Sequence, residues 1–266
     1  MRAFALLGHP VHHSLSPALH NGWFADAGTD DVYVTIDLPA ARAHQAAGLL
    51  RTLGLRGANL TVPLKSAVLG ALDRVEGDAA ILGAVNTVVR EGDALVGLNT
   101  DAPGFMAGLR EVLPQGVSGA EAVVLGAGGA GAAVVCGLLR GGARVRLVNR
   151  SLGRAQQVAA RLSGVGGVVA TPWSAEVLAG ADVVVVCTSG GARDALSSLA
   201  VSGLPAHAVV VDINYWMDAP PLLVAARSRG LRTQDGLPML IHQAALAFHR
   251  FTGISPSVEH ARARVG

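Results

Sequence analysis

Ala122-Val123-Val124-Leu125-Gly126-Ala127-Gly128-Gly129-Ala130-Gly131 is the stretch on which the fold of this chain turns. Apolar residues of strand character run straight into glycines at the spacing G-x-G-x-x-G, and Ala132 to Leu139 continues as an apolar helix. Arg144 to Val148 follows as a second strand, so residues 122 to 149 predict a βαβ unit with a glycine turn at its first junction. Glycine lets backbone approach a pyrophosphate closely, and a helix N-terminus offers that anion unpaired N–H groups. A plain tight turn is the competing reading, because a chain with 34 Gly meets the pattern cheaply.

The residues beyond the turn choose between dinucleotides. An NAD site carries an acid about 20 residues past the glycines, on the ribose hydroxyl. Here the second strand leads into Asn149-Arg150-Ser151, Arg154 lies one turn further, and no Asp or Glu occurs from Ala127 to Ala175. A 2′-phosphate is repelled by carboxylates and held by guanidinium forks, so NADP is the expected cofactor. Arg150 and Arg154 are assigned to that phosphate, and Gly126, Ala127, Gly128, Gly129, Ala130, Asn149 and Ser151 to the rest of the nucleotide. Arg140, Arg144 and Arg161 read as solvated surface.

Outward from this unit, short apolar runs alternate with Ala/Leu-rich helical stretches, the pattern of α/β layers with mostly parallel strands. Strands are expected at residues 2 to 8, 32 to 38, 57 to 62, 183 to 187 and 209 to 213, and a hairpin at 85 to 90 and 94 to 98. Helices are expected from Ser16-Pro17 to near Gly28 and at 40 to 53, 103 to 113, 152 to 162, 221 to 228 and 237 to 252. The fold class is α/β with two lobes. Residues 1 to 101 with 237 to 266 form a substrate-binding and catalytic domain, and 102 to 236 a Rossmann-type NADP-binding domain with a parallel sheet.

Composition narrows the function. The chain has 266 residues, 51% of them hydrophobic, and a formal charge of +2, with no basic block of nucleic-acid type and no apolar run long enough for a bilayer. A small-molecule substrate, no nucleic acid and no membrane are therefore expected. The expected compartment is the cytoplasm, and a homodimer is compatible with the chain. Cys136 and Cys187 have neither metal-ligand nor redox spacing and read as buried small hydrophobes. His9, His12, His13 and His20 lie close together without a carboxylate among them, so they read as loop and capping residues, and no metal is expected.

Of the 21 Lys and Arg residues, Lys65 is the single lysine. Arg holds its proton near neutral pH whereas a partly buried Lys can give one up, which marks Lys65 for proton chemistry. Polar islands gather at the ends of the first-lobe strands. Ser14-Leu15-Ser16-Pro17 puts two hydroxyls beside a helix start, a carboxylate cradle, although capping alone explains Ser16. Asn59 and Thr61 share a strand face just before Lys65, and Asn86 and Asp101 stand at hairpin ends. Ligands of open α/β sheets settle outside the carboxyl ends of the strands. A Lys-Asp ion pair bracing two strand ends is the bland alternative for Lys65 and Asp101.

These stretches, in order, resemble the shikimate dehydrogenase family over nearly the whole chain. They are Gly8-His9-Pro10, His13 to Pro17, His20-Asn21, Asn59 to Lys65, Gly83 to Thr87, Gly97 to Asp101, the glycine loop, Asn149-Arg150-Ser151, Gly236 to Leu240 and Gln243-Ala244-Ala245. The resemblance implies NADPH-dependent reduction of 3-dehydroshikimate to shikimate, with Lys65 and Asp101 as the catalytic pair. It implies that Ser14 and Ser16 hold the substrate carboxylate with Tyr215 nearby, and that Asn59, Thr61, Asn86, Asp101 and Gln243 bond its ring hydroxyls. Thr188, Ile213, Gly236 and Met239 would border the nicotinamide. The chain departs from the family at Trp216-Met217-Asp218-Ala219-Pro220-Pro221 and at Cys187-Thr188-Ser189-Gly190. The Tyr-x-x-x-Lys dyad of short-chain dehydrogenases is absent, since Thr61 precedes Lys65 by four residues. A quinate-oxidising relative would carry an acid near Arg150 and an altered Ser14 or Ser16 site, neither of which is seen, and a non-catalytic NADP-binding regulator would not need Lys65 with Asp101.

Overall fold

Among the described residues, strands of two to six residues, most of them separated by helices, build two six-stranded sheets, one in each of two compact units. The computed structural model describes residues 1–188, 193–216 and 219–265. Ser189 and Gly190 of one departure from the family, and Met217 and Asp218 of the other, lie outside the described residues.

The first unit comprises Met1–Thr100 and Leu240–Gly266. Its elements are β1 (Ala3–Gly8), α1 (Ser16–Asp26), β2 (Val32–Asp37), α2 (Ala46–Thr52), β3 (Gly57–Leu60), α3 (Leu64–Ala67), β4 (Arg74–Val75), α4 (Asp78–Leu82), β5 (Thr87–Glu91) and β6 (Ala94–Leu98). The sheet runs β2-β1-β3-β5-β6-β4. β1 pairs in parallel with β2 and β3, whereas β5 is antiparallel to both β3 and β6. Alternation along β1 buries both faces: Ala5 and Leu7 join Leu50, Leu60, Leu64, Val85 and Val88, while Phe4 stacks on Phe24 and meets Phe251 at a tilt.

The second unit comprises Asp101–Met239. It contains α5 (Asp101–Val112), β7 (Glu121–Leu125), α6 (Gly129–Arg140), β8 (Arg144–Val148), α7 (Leu152–Leu162), β9 (Val168–Thr171), β10 (Val183–Val186), α8 (Arg193–Ser197), β11 (Val209–Asp212), α9 (Pro221–Ser228) and β12 (Arg232–Gln234). All its strand pairs are parallel, in the order β12-β11-β10-β7-β8-β9. That is the doubly wound order, with its switch point between β7 and β10, where ligands of such sheets bind. Val123, Leu125, Val184, Val186 and Val210 are fully buried in its core, as expected of strands covered on both faces.

Two last helices, α10 (Leu237–Thr252) and α11 (Val258–Val265), close the chain. The division falls after Thr100 and after Met239, so Asp101 and the first turn of α10, expected with the first lobe, count with the second unit. Asp101 opens α5, where a helix N-terminus favours a carboxylate. A Cβ on Gly108 of α5 would sit 3.0 Å from the Met239 nitrogen, so the start of α10 is packed directly on α5.

Two expected elements change character. The helix at 40 to 53 splits into a 3-10 segment, Ala40–Gln45, and α2, because Pro39 at its N-cap offers no capping side chain and the first turn tightens. The strand from Gly57 ends at Leu60, and a turn closed by Leu64 N–H on the Thr61 carbonyl, 2.8 Å, delivers Lys65 into α3. No helix among the described residues is long and apolar enough to cross a membrane.

Candidate active site

At the carboxyl end of β3, side chains from β3, the start of β5 and the end of β6 form a closed polar network. Asn59, Asn86, Thr87 and Thr100 are all buried, so each polar group needs a partner from within. The Asn86 side-chain oxygen accepts the Thr100 backbone N–H at 2.8 Å and the Thr87 hydroxyl at 2.9 Å. Its amide nitrogen donates to the Thr100 hydroxyl at 2.9 Å and to Gln243 at 3.4 Å. Asn59 donates to the Thr87 hydroxyl at 3.0 Å and to the Asn86 backbone carbonyl at 3.3 Å, and accepts from the Tyr33 hydroxyl at 2.8 Å. Asn59, Asn86 and Gln243 are thus linked within one network, with Asn86 between the other two.

Thr61 lies half-buried just past β3, and its methyl group leaves no room for a Cβ on Gly8. Lys65 is half-buried in α3, and its carbonyl accepts the backbone N–H of Val85 at 2.7 Å, next to Asn86. Asp101 is buried directly after Thr100. Ser14 and Ser16 are brought together, with Oγ to Oγ 3.2 Å, and Ser14 Oγ also accepts the Ser16 N–H at 3.2 Å. Ser16 is not the helix cap: α1 begins at Ser16 itself, Leu15 stands at the N-cap, and Pro17 fills the first turn without needing a donor.

In the second unit the glycines have separate duties. Gly126 adopts φ +117°, and a Cβ there would press on the Cys187 carbonyl carbon at 2.9 Å. A Cβ on Gly131 would overlap the Gly126 carbonyl oxygen. Gly128, at the N-cap of α6, faces open space, which is the clearance a pyrophosphate requires. The Asn149 side chain accepts from Ala127 N–H at 3.3 Å and donates to the Ser151 carbonyl at 3.1 Å, and Ser151 caps α7. Gly129 is exposed and Ala130 half-buried on α6, while Arg150 and Arg154 are exposed beyond β8. The donor set suits a phosphorylated dinucleotide.

At the carboxyl ends of β10 and β11, Asn214 donates to Asp212 Oδ1 at 2.6 Å and to the Thr188 carbonyl at 3.0 Å. Thr188 Oγ1 and Asp212 Oδ2 are buried with no hydrogen-bond partner among the described residues, and burial raises the Asp212 carboxyl above its ordinary value. Gly236 packs its Cα against the Ile213 carbonyl, Met239 is buried, and half-buried Tyr215 meets exposed Trp216 edge to face at 4.9 Å.

Two further sequence readings are corrected, and three residues are added. His20 is a core residue rather than a loop or capping one: it is 0% exposed, neither ring nitrogen has a partner among the described residues, and burial lowers its pKa to about 3. Cys187 is only partly buried, unlike Cys136, because it borders the nucleotide turn. Tyr33, Thr87 and Thr100 belong to the network but are not among the residues that the sequence singles out. The two threonines sit beside Asn86 and Asp101 in the quoted motifs, and that adjacency is the available signal. A tyrosine inside an apolar strand gives none.

Residues 6–88 match the shikimate dehydrogenase substrate binding domain model, 109–215 the shikimate / quinate 5-dehydrogenase model, and 236–265 the shikimate 5′-dehydrogenase C-terminal domain model. A shikimate dehydrogenase (NADP(+)) of Symbiobacterium thermophilum is 44% identical over 263 residues, covering 95% of this chain and 89% of its own length. The shikimate 5-dehydrogenase of Thermus thermophilus, solved in complex with NADP(H) and shikimate, superposes with a TM-score of 0.87 at 37% identity, covering 100% of this chain and 98% of its own. A quinate dehydrogenase from Corynebacterium glutamicum in complex with NAD superposes with a TM-score of 0.88 at 34% identity, covering 99% and 98%.

Proposed function

The chain belongs to the shikimate dehydrogenase family, and on that footing we propose how its own residues carry the reaction. It is an NADP-dependent oxidoreductase that interconverts 3-dehydroshikimate and shikimate, a step of chorismate and aromatic amino-acid biosynthesis. We assign substrate binding to residues 1–101 and 237–266 and cofactor binding to 102–236.

The observation that carries the assignment is the place of Asn86. The residue before it holds the Lys65 backbone, and its side chain holds Thr100, the residue before Asp101. Two consecutive residues, Val85 through its backbone N–H and Asn86 through its side chain, thereby support both proposed catalytic groups. Lys65 places its ammonium beside the carbonyl oxygen, stabilises the developing alkoxide and donates the proton that completes the alcohol. Asp101 orients that ammonium and accepts from a neighbouring substrate hydroxyl. Ser14 and Ser16, with Tyr215 nearby, hold the carboxylate, while Asn59, Thr61, Asn86 and Gln243 read the ring hydroxyls.

When bound at the glycine loop, NADPH supplies the hydride to the carbonyl carbon. Gly126 to Ala130 and Asn149 to Ser151 hold its phosphates and ribose, Arg150 and Arg154 its 2′-phosphate, and Thr188, Ile213, Gly236 and Met239 border the reacting ring. The proposal includes a cytoplasmic setting, where Cys136 and Cys187 stay reduced, and a homodimer as the assembly. A spectrophotometric screen of shikimate and quinate against NADP and NAD tests the reading. The highest kcat/KM is expected for shikimate with NADP, and faster quinate oxidation with NAD would overturn it.

A further inference from the structure

Tyr33 stands on the edge strand β2, two strands away from Asn59 on β3. It is nonetheless buried and donates to Asn59 Oδ1 at 2.8 Å. The direction of that bond is fixed by groups that cannot exchange roles. A backbone carbonyl only accepts, so the Asn59 atom 3.3 Å from the Asn86 carbonyl is the amide nitrogen. A backbone N–H only donates, so the Asn86 atom facing Thr100 N–H is its oxygen. The Thr87 hydroxyl gives its proton to that oxygen and is left to accept from Asn59. Both amide protons of Asn59 are therefore committed, and its oxygen must face Tyr33.

Asn59 has no proton left to offer a ligand, but its oxygen keeps a second lone pair. We propose that Tyr33 is a positioning residue for substrate: by donating to Asn59 it holds that side chain with its oxygen available, so that Asn59 recognises a ring hydroxyl only as a proton donor. The proposal rests on the reading that Asn59 touches substrate. Lys65 is assigned to the reacting oxygen, which leaves one of the two non-reacting ring hydroxyls for Asn59.

The surroundings fit this duty. The Tyr33 ring lies flat on His20, centroids 4.2 Å apart and planes 4° apart, within the aromatic cluster of Trp23, Phe248 and Phe251. Its backbone N–H and carbonyl are both held by the Asn21 side chain, at 2.8 and 2.9 Å. Burial pushes the phenol well above its ordinary value, so it remains a donor throughout the working pH range.

Kinetics of Tyr33→Phe with shikimate and with its two non-reacting monodeoxy analogues test the proposal. The shikimate KM should rise about 3- to 10-fold, the loss of one neutral buried hydrogen bond, with kcat and the NADP KM nearly unchanged. For the analogue lacking the hydroxyl that Asn59 accepts, the substitution should change nothing. An equal loss on all three substrates would mark Tyr33 as merely structural and overturn the proposal, as would an unchanged KM for shikimate. Asn59→Ala separates the two layers: an unchanged shikimate KM there would defeat the assignment of Asn59 itself. A second measurement needs only the unaltered enzyme. Replacing that same hydroxyl by fluorine, which accepts but cannot donate, should bind as weakly as the deoxy analogue, and recovery of shikimate-like affinity would show Asn59 donating and refute the proposal.

Discussion

The Thr100 backbone N–H donates to the Asn86 side-chain oxygen at 2.8 Å, which fixes the residue immediately before Asp101 to the residue immediately after Val85, the partner of the Lys65 carbonyl. Asn86→Ala removes that acceptor and leaves a buried N–H without a partner. It should cost about 1 to 3 kcal/mol of stability and also lower kcat. Urea unfolding and shikimate oxidation, measured on the same preparation, check this. A variant of unchanged stability and rate would show that the network is not needed.

Cofactor choice is expected to rest on Arg150 and Arg154. A charge-assisted bond contributes about 1.5 to 3 kcal/mol, so each Arg→Ala change should lower kcat/KM with NADP by roughly 10- to 150-fold and leave the value with NAD nearly untouched. Equal losses with both cofactors would place the 2′-phosphate elsewhere.

The glycine loop makes a sharper distinction. Gly131→Ala would force a Cβ into the Gly126 carbonyl oxygen and should damage both folding and NADP affinity. Gly128→Ala meets nothing among the described residues and has a negative φ, so its thermal midpoint should hold while NADP affinity falls. If Gly128→Ala binds NADP normally, the pyrophosphate does not lie over this turn.

How far these features are legible in the sequence follows from what each element must satisfy. The β7-turn-α6-β8 unit and α10 are readable because one buries apolar runs flanked by glycines and the other repeats its apolar face over sixteen residues. β9 and β12 are not, being short edge strands whose exposed or polar residues, such as Val169 and Arg232, carry no strand periodicity. Asn59 and Asn86 can be picked out at strand ends. Their bonding to Tyr33, Thr87 and Thr100 depends on register between β3, β5 and β6, which turns and packing decide.

His20 gives a pH-dependent prediction. Burial holds it neutral down to about 3, against 6.5 when exposed, so between those values the unfolded chain takes up a proton that the folded chain refuses. The stability is present in full above the unfolded value and is lost as pH falls, at about 1.4 kcal/mol per pH unit. From pH 7 to pH 5 the natural protein should therefore lose about 2 kcal/mol more than His20→Phe, which keeps the stack on Tyr33 and removes two unpaired nitrogens. Parallel pH curves in urea unfolding would contradict a buried neutral His20.

The most direct test of the assigned chemistry is steady-state shikimate oxidation by Lys65→Arg, with NADP binding confirmed separately. Arg keeps the charge but cannot pass a proton near neutral pH. The expected result is a fall in kcat of roughly 100- to 10,000-fold, nearly as severe as Lys65→Ala, with Asp101→Asn adding less than its separate effect. A Lys65→Arg enzyme with near-normal kcat would show that position 65 needs only positive charge and would contradict the proton transfer assigned to it.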